Sequence, residues 1–168
     1  MKNEVDLQSG PDLKPIIRLL LWFTGCYVVA FVGYVGSSQG LWYWFQSLQR
    51  PAWCLPVWYY TPIWSVAYGM FGWASWQIWI SPPDSRRTKS LVWCTIQLLL
   101  SAIWPWLLFA MHQPVASVIV AIILFVTATC TNILFWKQQS KAGGFMIPYV
   151  VWIAYLAILN FAVWRMNR

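Results

Sequence analysis

The side chains able to do acid–base, nucleophilic or metal chemistry are few and scattered. The four carboxylates are Glu4, Asp6, Asp12 and Asp84, and each lies outside the long apolar runs. They form no pair for acid–base hydrolysis. No acid stands inside an apolar run, where a proton-coupled exporter would need one to carry charge. The single histidine, His112, has no neighbours with which to build a zinc site or a Ser/His/Asp constellation, so no metal site is expected. It reads as an interfacial turn residue, with axial haem ligation as the alternative. Cys26, Cys54, Cys94 and Cys130 are too widely spaced for a zinc or haem-attachment signature. Three of them read as small core residues, and Cys54 is a loop thiol. There is no phosphate-cradling glycine loop. The chain holds 15 Trp, 8 Tyr and 9 Phe, and what remains in the apolar runs is aromatic surface plus neutral polar groups. The latter are Gln77, Gln97, Ser101, Thr127, Thr129, Thr131, Asn132 and Asn160. Such a set suits binding of flat apolar ligands by stacking and area burial, with one or two hydrogen bonds for orientation. It equally suits polar adhesion between membrane helices.

The elements that carry these groups follow from composition. Sixty per cent of the 168 residues are apolar and 9% are charged, against about 25% charged in a soluble domain. Five runs approach the ~20 apolar residues that cross a bilayer: 16–36, 57–80, 91–111, 114–136 and 145–164. Backbone groups in hydrocarbon must be satisfied internally, and barrel strands would be shorter and alternate in polarity. The prediction is therefore an all-α membrane protein, a five-transmembrane-helix bundle over 16–167 preceded by a polar segment, 1–15. Arg18 can snorkel to the headgroups. Pro62, Pro105 and Pro148 should kink helices or start first turns. Loops are expected at Ser37–Pro56, Ser81–Ser90, His112-Gln113 and Lys137–Gly144. The formal charge of +7 lies in the short segments between the runs, which marks membrane topology rather than nucleic-acid binding. Lys2, Lys14, Arg18, Arg86, Arg87, Lys89, Lys137 and Lys141 fall on one side. Arg50, Arg165 and Arg168 fall on the other, so the positive-inside rule places the N-terminus in the cytoplasm. The N-terminus lacks a signal peptide's basic region and cleavage site. No internal repeat is visible.

Trp64, Tyr68 and Phe71 stand at i, i+4 and i+7 on the second span, and Trp152, Tyr155, Leu159 and Asn160 share a face of the fifth. Two such faces are predicted to line a slot for a planar ring system. Arg50-Pro51 and Pro56 stiffen the long first loop, which is expected to lie over the slot as a lid. Trp42, Trp44, Trp79, Trp136 and Trp164 read as interfacial belt.

The first loop and second span run Trp42-Tyr-Trp44-Phe45, Leu48, Arg50-Pro51-Ala-Trp53-Cys54-Leu55-Pro56-Val-Trp58, then Pro62-Ile-Trp64 and Tyr68. With Gln97 and Trp104-Pro105 on the third span, and Pro148-Tyr149, Trp152, Tyr155 and Asn160 on the fifth, this pattern resembles the TspO/MBR (translocator, tryptophan-rich sensory) family across about residues 16–167. The resemblance implies a membrane receptor or sensor that takes tetrapyrroles (porphyrin or haem, as ligand rather than required cofactor) and, in some members, sterols or benzodiazepine-type ligands. It implies Trp53, Trp64, Tyr68, Phe71, Gln97, Ser101, Trp104, Trp152, Tyr155, Leu156 and Asn160 as ligand-binding positions. It also implies a homodimer, with which the Ser65/Gly69 spacing is compatible, in a bacterial envelope or mitochondrial outer membrane. Two further readings come with it. One is light-dependent porphyrin degradation, with Trp64 and Trp152 donating electrons; the other is passive or partner-assisted transport. The chain departs from the family pattern at Leu55 (commonly Pro), Ser101 (Asn), Ala102 (Trp) and Leu156 (Ala). Phe161 replaces the Tyr of the sterol pattern before Arg165, so sterol binding by that pattern is not carried over.

Overall fold

The computed structural model describes the backbone of residues 13–168 and the side chains from Ile16 onward except Arg18. Most of the polar segment 1–15 and the snorkelling position of Arg18 thus lie outside the described residues. Helix α1 spans Leu13–Ser38 and a single turn, α2, spans Trp44–Ser47. A short 3-10 turn at Val57–Tyr59 leads into α3, Tyr60–Trp79. Helices α4 (Ser85–Pro105), α5 (Pro114–Gln138) and α6 (Ser140–Met166) follow.

Four stretches, Leu19–Ser38, Ser85–Ala110, Pro114–Gln138 and Ser140–Met166, are long and apolar enough to cross a membrane. The remaining long helix, α3, has 20 residues and no charge; its four Trp and two Tyr lower its hydropathy. At 1.5 Å per residue it reaches about 30 Å, the depth of a hydrocarbon core. The chain is an integral, multi-pass helical membrane protein. Its long helices neighbour one another in the order α1, α3, α6, α5, α4 and back to α1.

The expected polar loops are shorter than the composition suggested. Helix α4 begins inside the segment 81–90 because Asp84 caps it, accepting a hydrogen bond from the Arg87 N–H at 2.6 Å. The segment 137–144 is almost wholly helical, and Gln139 alone is extended between α5 and α6. That tight reversal needs Gly143. A Cβ there would stand 2.5 Å from the Trp136 ring and 2.8 Å from its Cα. Polarity marks where a helix leaves hydrocarbon, not where it ends. Pro62 sits in the first turn of α3 and Pro148 lies within α6. Pro105 closes α4, and a wider turn over Trp106–Ala110 follows, with Met111 N–H bonding the Trp106 carbonyl five residues back.

Both ends of the bundle are tied across loops. At one end Gln49 and Asn167 exchange two hydrogen bonds, at 3.0 and 2.9 Å. At the other, Gln139 reaches Gln77 at 3.3 Å and Gln138 reaches Ser81 at 3.4 Å. The first loop meets the α4–α5 turn at Gly40, where a Cβ would lie 2.2 Å from the Phe109 carbonyl oxygen. Backbone cannot yield as a side chain does. Gly40→Ala is therefore expected to destabilise the protein by about 1–3 kcal/mol. Gly25→Ala, at a helical position with nothing within 4 Å, should stay within about 0.5 kcal/mol. Thermal unfolding in detergent checks this, and equal midpoints for the two variants would refute the close approach.

Candidate functional site

Tyr60, Trp64 and Tyr68 recur every four residues, so they stack along one face of α3. That face borders a cavity of about 280 Å³. Ser101, Trp104 and Pro105 of α4, with Phe109 beyond it, form the opposite wall. The third wall is α1, through Tyr27, Phe31 and Tyr34. These three residues are also 44%, 65% and 51% exposed. On a membrane span that means they face lipid, so this wall is one side chain thick. The Tyr27 hydroxyl donates to the Ser65 carbonyl at 3.2 Å and joins α1 to α3 beside the cavity. On its other flank α1 lies tight on α4: a Cβ on Gly33 would contact the Ser101 carbonyl at 3.5 Å, and Trp106 Nε1 donates to the Val32 carbonyl at 3.0 Å.

Among the positions expected to hold ligand, Trp64, Tyr68, Ser101 and Trp104 come together at this cavity. Trp64 stacks on Tyr68 with centroids 5.2 Å apart and planes at 28°, and stands 6.4 Å from Trp104. The Tyr68 hydroxyl donates to Ser101 Oγ at 2.9 Å, and Ser101 donates onward to the Leu98 carbonyl at 2.8 Å. None of the residues lining the cavity is Asp, Glu, Lys, Arg or His.

Between the second and fifth spans, where a slot is expected, the Trp64 and Trp152 rings are in contact. Trp64 and Trp152 do not face each other across a gap. Their rings meet edge to face, 6.2 Å between centroids at 89°, and Trp152 in turn stacks on Tyr155 at 5.2 Å. The cavity lies on the other side of Trp64, toward α1, and a more open groove of about 480 Å³ runs along the α3–α6 seam past Pro62, Ala67, Pro148 and Trp152.

The other expected positions do structural work elsewhere. Phe71 is buried against Tyr149 at 5.1 Å. Gln97 donates to the Tyr149 hydroxyl at 3.0 Å and accepts from Thr127, tying α4 to α5 and α6. Asn160 accepts from Ser117 at 2.7 Å and donates to the Leu156 carbonyl at 2.7 Å. Leu156 and Asn160 border a void of about 10 Å³ behind the Tyr60, Trp104 and Phe109 rings, room for about one water at most. Trp53 lies on the first loop, 47% exposed, with its ring edge-on to Tyr155 at 5.8 Å. The wall residues not singled out from sequence include Tyr60, Phe109 and, on α1, the set Tyr27, Phe31 and Tyr34. The i, i+4, i+7 spacing of the three on α1 is the same signal that marked α3.

The first loop is pinned over this end of the bundle. The Leu55 N–H donates to the Tyr155 hydroxyl at 3.0 Å. Trp44, expected as interfacial belt, stacks on His112 at 4.3 Å. His112 takes a φ of +52°, uncommon for a residue with a Cβ.

A helical, multi-pass membrane protein with an aromatic cavity inside its bundle is the class that this fold and site define. The sequence profile of the TspO/MBR family matches residues 22–165, and the chain belongs to that family. It is similar to protein CrtK of Rhodobacter capsulatus, 26% identical over 88% of this chain and 91% of the relative. It is also similar to the tryptophan-rich protein TspO of Chlorobaculum tepidum, 25% identical over 92% and 98%. Against the translocator protein of Sus scrofa it is 30% identical over 78% of each chain.

The hydrogen bond from Leu55 to Tyr155 predicts a measurable loosening of the loop. In Tyr155→Phe, half-buried Cys54 should react with a maleimide about fivefold faster, the equivalent of one neutral hydrogen bond. Mass spectrometry distinguishes Cys54 from the other thiols, and an unchanged rate would show that Tyr155 does not hold the loop.

Proposed function

We propose that this protein is a membrane receptor or sensor that takes flat, apolar ligands of the tetrapyrrole class, porphyrin or haem, into the cavity between α1, α3 and α4. The observation that carries the reading is the Trp64–Tyr68 stack with Trp104 beside it, all three lining one space without a charged side chain. Ring faces of this kind hold a planar ligand by dispersion and area burial. The volume of about 280 Å³ lies at the lower end of ligand sites, roughly 300–1,000 Å³. A macrocycle therefore needs the thin α1 wall to move outward. That wall is suited to it, because Phe31 and Tyr34 face lipid and one hydrogen bond from Tyr27 closes the seam beside them. Binding is preferred to active transport because the cavity lining offers no Asp, Glu, Lys, Arg or His to couple a proton or ion to movement. One relative carries a name in keeping with this reading, the tryptophan-rich sensory protein of Cereibacter sphaeroides.

Titration of the purified protein with protoporphyrin, read by quenching of Trp emission, tests the proposal. Trp64→Ala is expected to weaken binding about tenfold or more. Trp152→Ala should weaken it less, since Trp152 lies behind Trp64 and Tyr60 and does not itself line the cavity. Unchanged affinity in Trp64→Ala would overturn the assignment of the cavity.

A further inference from the structure

The end of the bundle where α3 gives way to α4 carries cations without matching acids. Arg86, Arg87 and Lys89 lie in the first turns of α4, and Lys137 and Lys141 flank the reversal between α5 and α6. The two groups are held side by side, because Gln138 reaches Ser81 and Gln139 reaches Gln77. Asp84 is the one acidic side chain among the described residues, and it is engaged. It accepts from the Arg87 N–H at 2.6 Å and from Gln138 at 3.5 Å. Segments 1–18, 81–89 and 137–141 of the sequence together hold eight Lys and Arg against four Asp and Glu, so the acids near the N-terminus still leave cations in excess.

Arg87 differs from the cations beside it. Arg86 and Lys89 are exposed, whereas Arg87 is half-buried. Its guanidinium carbon stands 5.8 Å from the centroid of the Trp79 ring, and its Nε is covered and without a partner among the described residues. Trp79, 39% exposed, meets Trp22 of α1 at 4.9 Å, and Ile80, 53% exposed, follows it at the end of α3. Trp residues at the ends of membrane spans mark the headgroup layer. The guanidinium therefore sits at the depth of the lipid phosphates, with its plane steadied by a ring. A planar fork of N–H donors suits a phosphate better than a point charge does.

We infer that this corner, built on Arg87 and Trp79, is a binding site for the phosphate of an anionic phospholipid in the adjoining leaflet. Arg87 holds the phosphate, and the exposed Trp79 and Ile80 meet the carbons below it. The surrounding cations favour a headgroup of net negative charge, because a zwitterionic one brings its own cation among them. The inference does not depend on what the cavity between α1, α3 and α4 holds.

Native mass spectrometry of the full chain in detergent tests it, with phosphatidylglycerol and phosphatidylcholine of identical acyl chains added in equal amounts. Retained phosphatidylglycerol is expected to exceed phosphatidylcholine about fivefold. In Arg87→Gln most of that preference should be lost. Replacing both exposed neighbours, Arg86→Gln with Lys89→Gln, should keep most of it although two charges are gone. Trp79→Leu keeps every charge and should still lose about half of the preference, because the guanidinium loses its ring. Arg165→Gln, at the opposite end of the bundle, should leave the ratio unchanged. Equal retention of the two lipids by the unaltered protein overturns the inference. So does a preference that survives Arg87→Gln and disappears in the double variant, since that reduces the corner to diffuse surface charge. Glycerol phosphate in excess should not displace the lipid; displacement would make a free phosphate the ligand and overturn the assignment to lipid. If Arg87→Gln fails to fold, Trp79→Leu and the double variant still decide, and a ratio unchanged by Trp79→Leu but abolished by the double variant counts against the site.

Discussion

Hydrocarbon gives membrane helices little reason to associate, because lipid tails are as apolar as the side chains they would replace. What draws these helices together must be close packing and internal polar contacts. The centre of that packing is the Trp64 ring, which touches Tyr68 on its own helix, Trp104 on α4, and Tyr149 and Trp152 on α6. One side chain thereby sets the spacing of three helices. Its edge-to-face contact with Trp152 joins α3 to α6, and the aromatic cavity falls on the α1 side of the ring. The cavity is a consequence of where this ring points.

Around that centre the polar groups are paired across helices. Gln97, Thr127 and Tyr149 join α4, α5 and α6, and Ser117 with Asn160 closes α5 on α6. Trp22 donates to Ser75 at 2.7 Å and holds α1 to α3 near its other end. Such bonds have no competition from water within the bilayer core, so they fix register as well as adhesion. Helix α1 shares least in this network. Its apolar window is the least buried of the four scored spans, and it is the element through which the cavity meets the lipid.

The first loop follows the same logic at the membrane surface. Its backbone is bound to α6 twice, at Gln49–Asn167 and Leu55–Tyr155, and its glycine, Gly40, lies against the Phe109 carbonyl. The loop is thus part of the bundle's end rather than a free connection. Tyr155, expected to meet ligand, serves as an anchor for it.

Much of this architecture can be read from the residues alone. Apolar runs of about 20 residues without acids mean five membrane helices, and four-residue spacing puts Trp64 and Tyr68 on one face because an α-helix turns once in 3.6 residues. The same residues leave open which neighbour each face meets. In a soluble helix the polar side marks the outside, but these helices are apolar all round, so periodicity cannot separate the lipid side from the bundle side. The pairing of Trp64 with Trp152, the turning of Tyr27, Phe31 and Tyr34 toward the cavity, and the use of Gln97 and Asn160 for adhesion depend on how rings and glycines of given shape fit together across helices. That fit is a property of three-dimensional packing and has no counterpart in the order of residues along the chain.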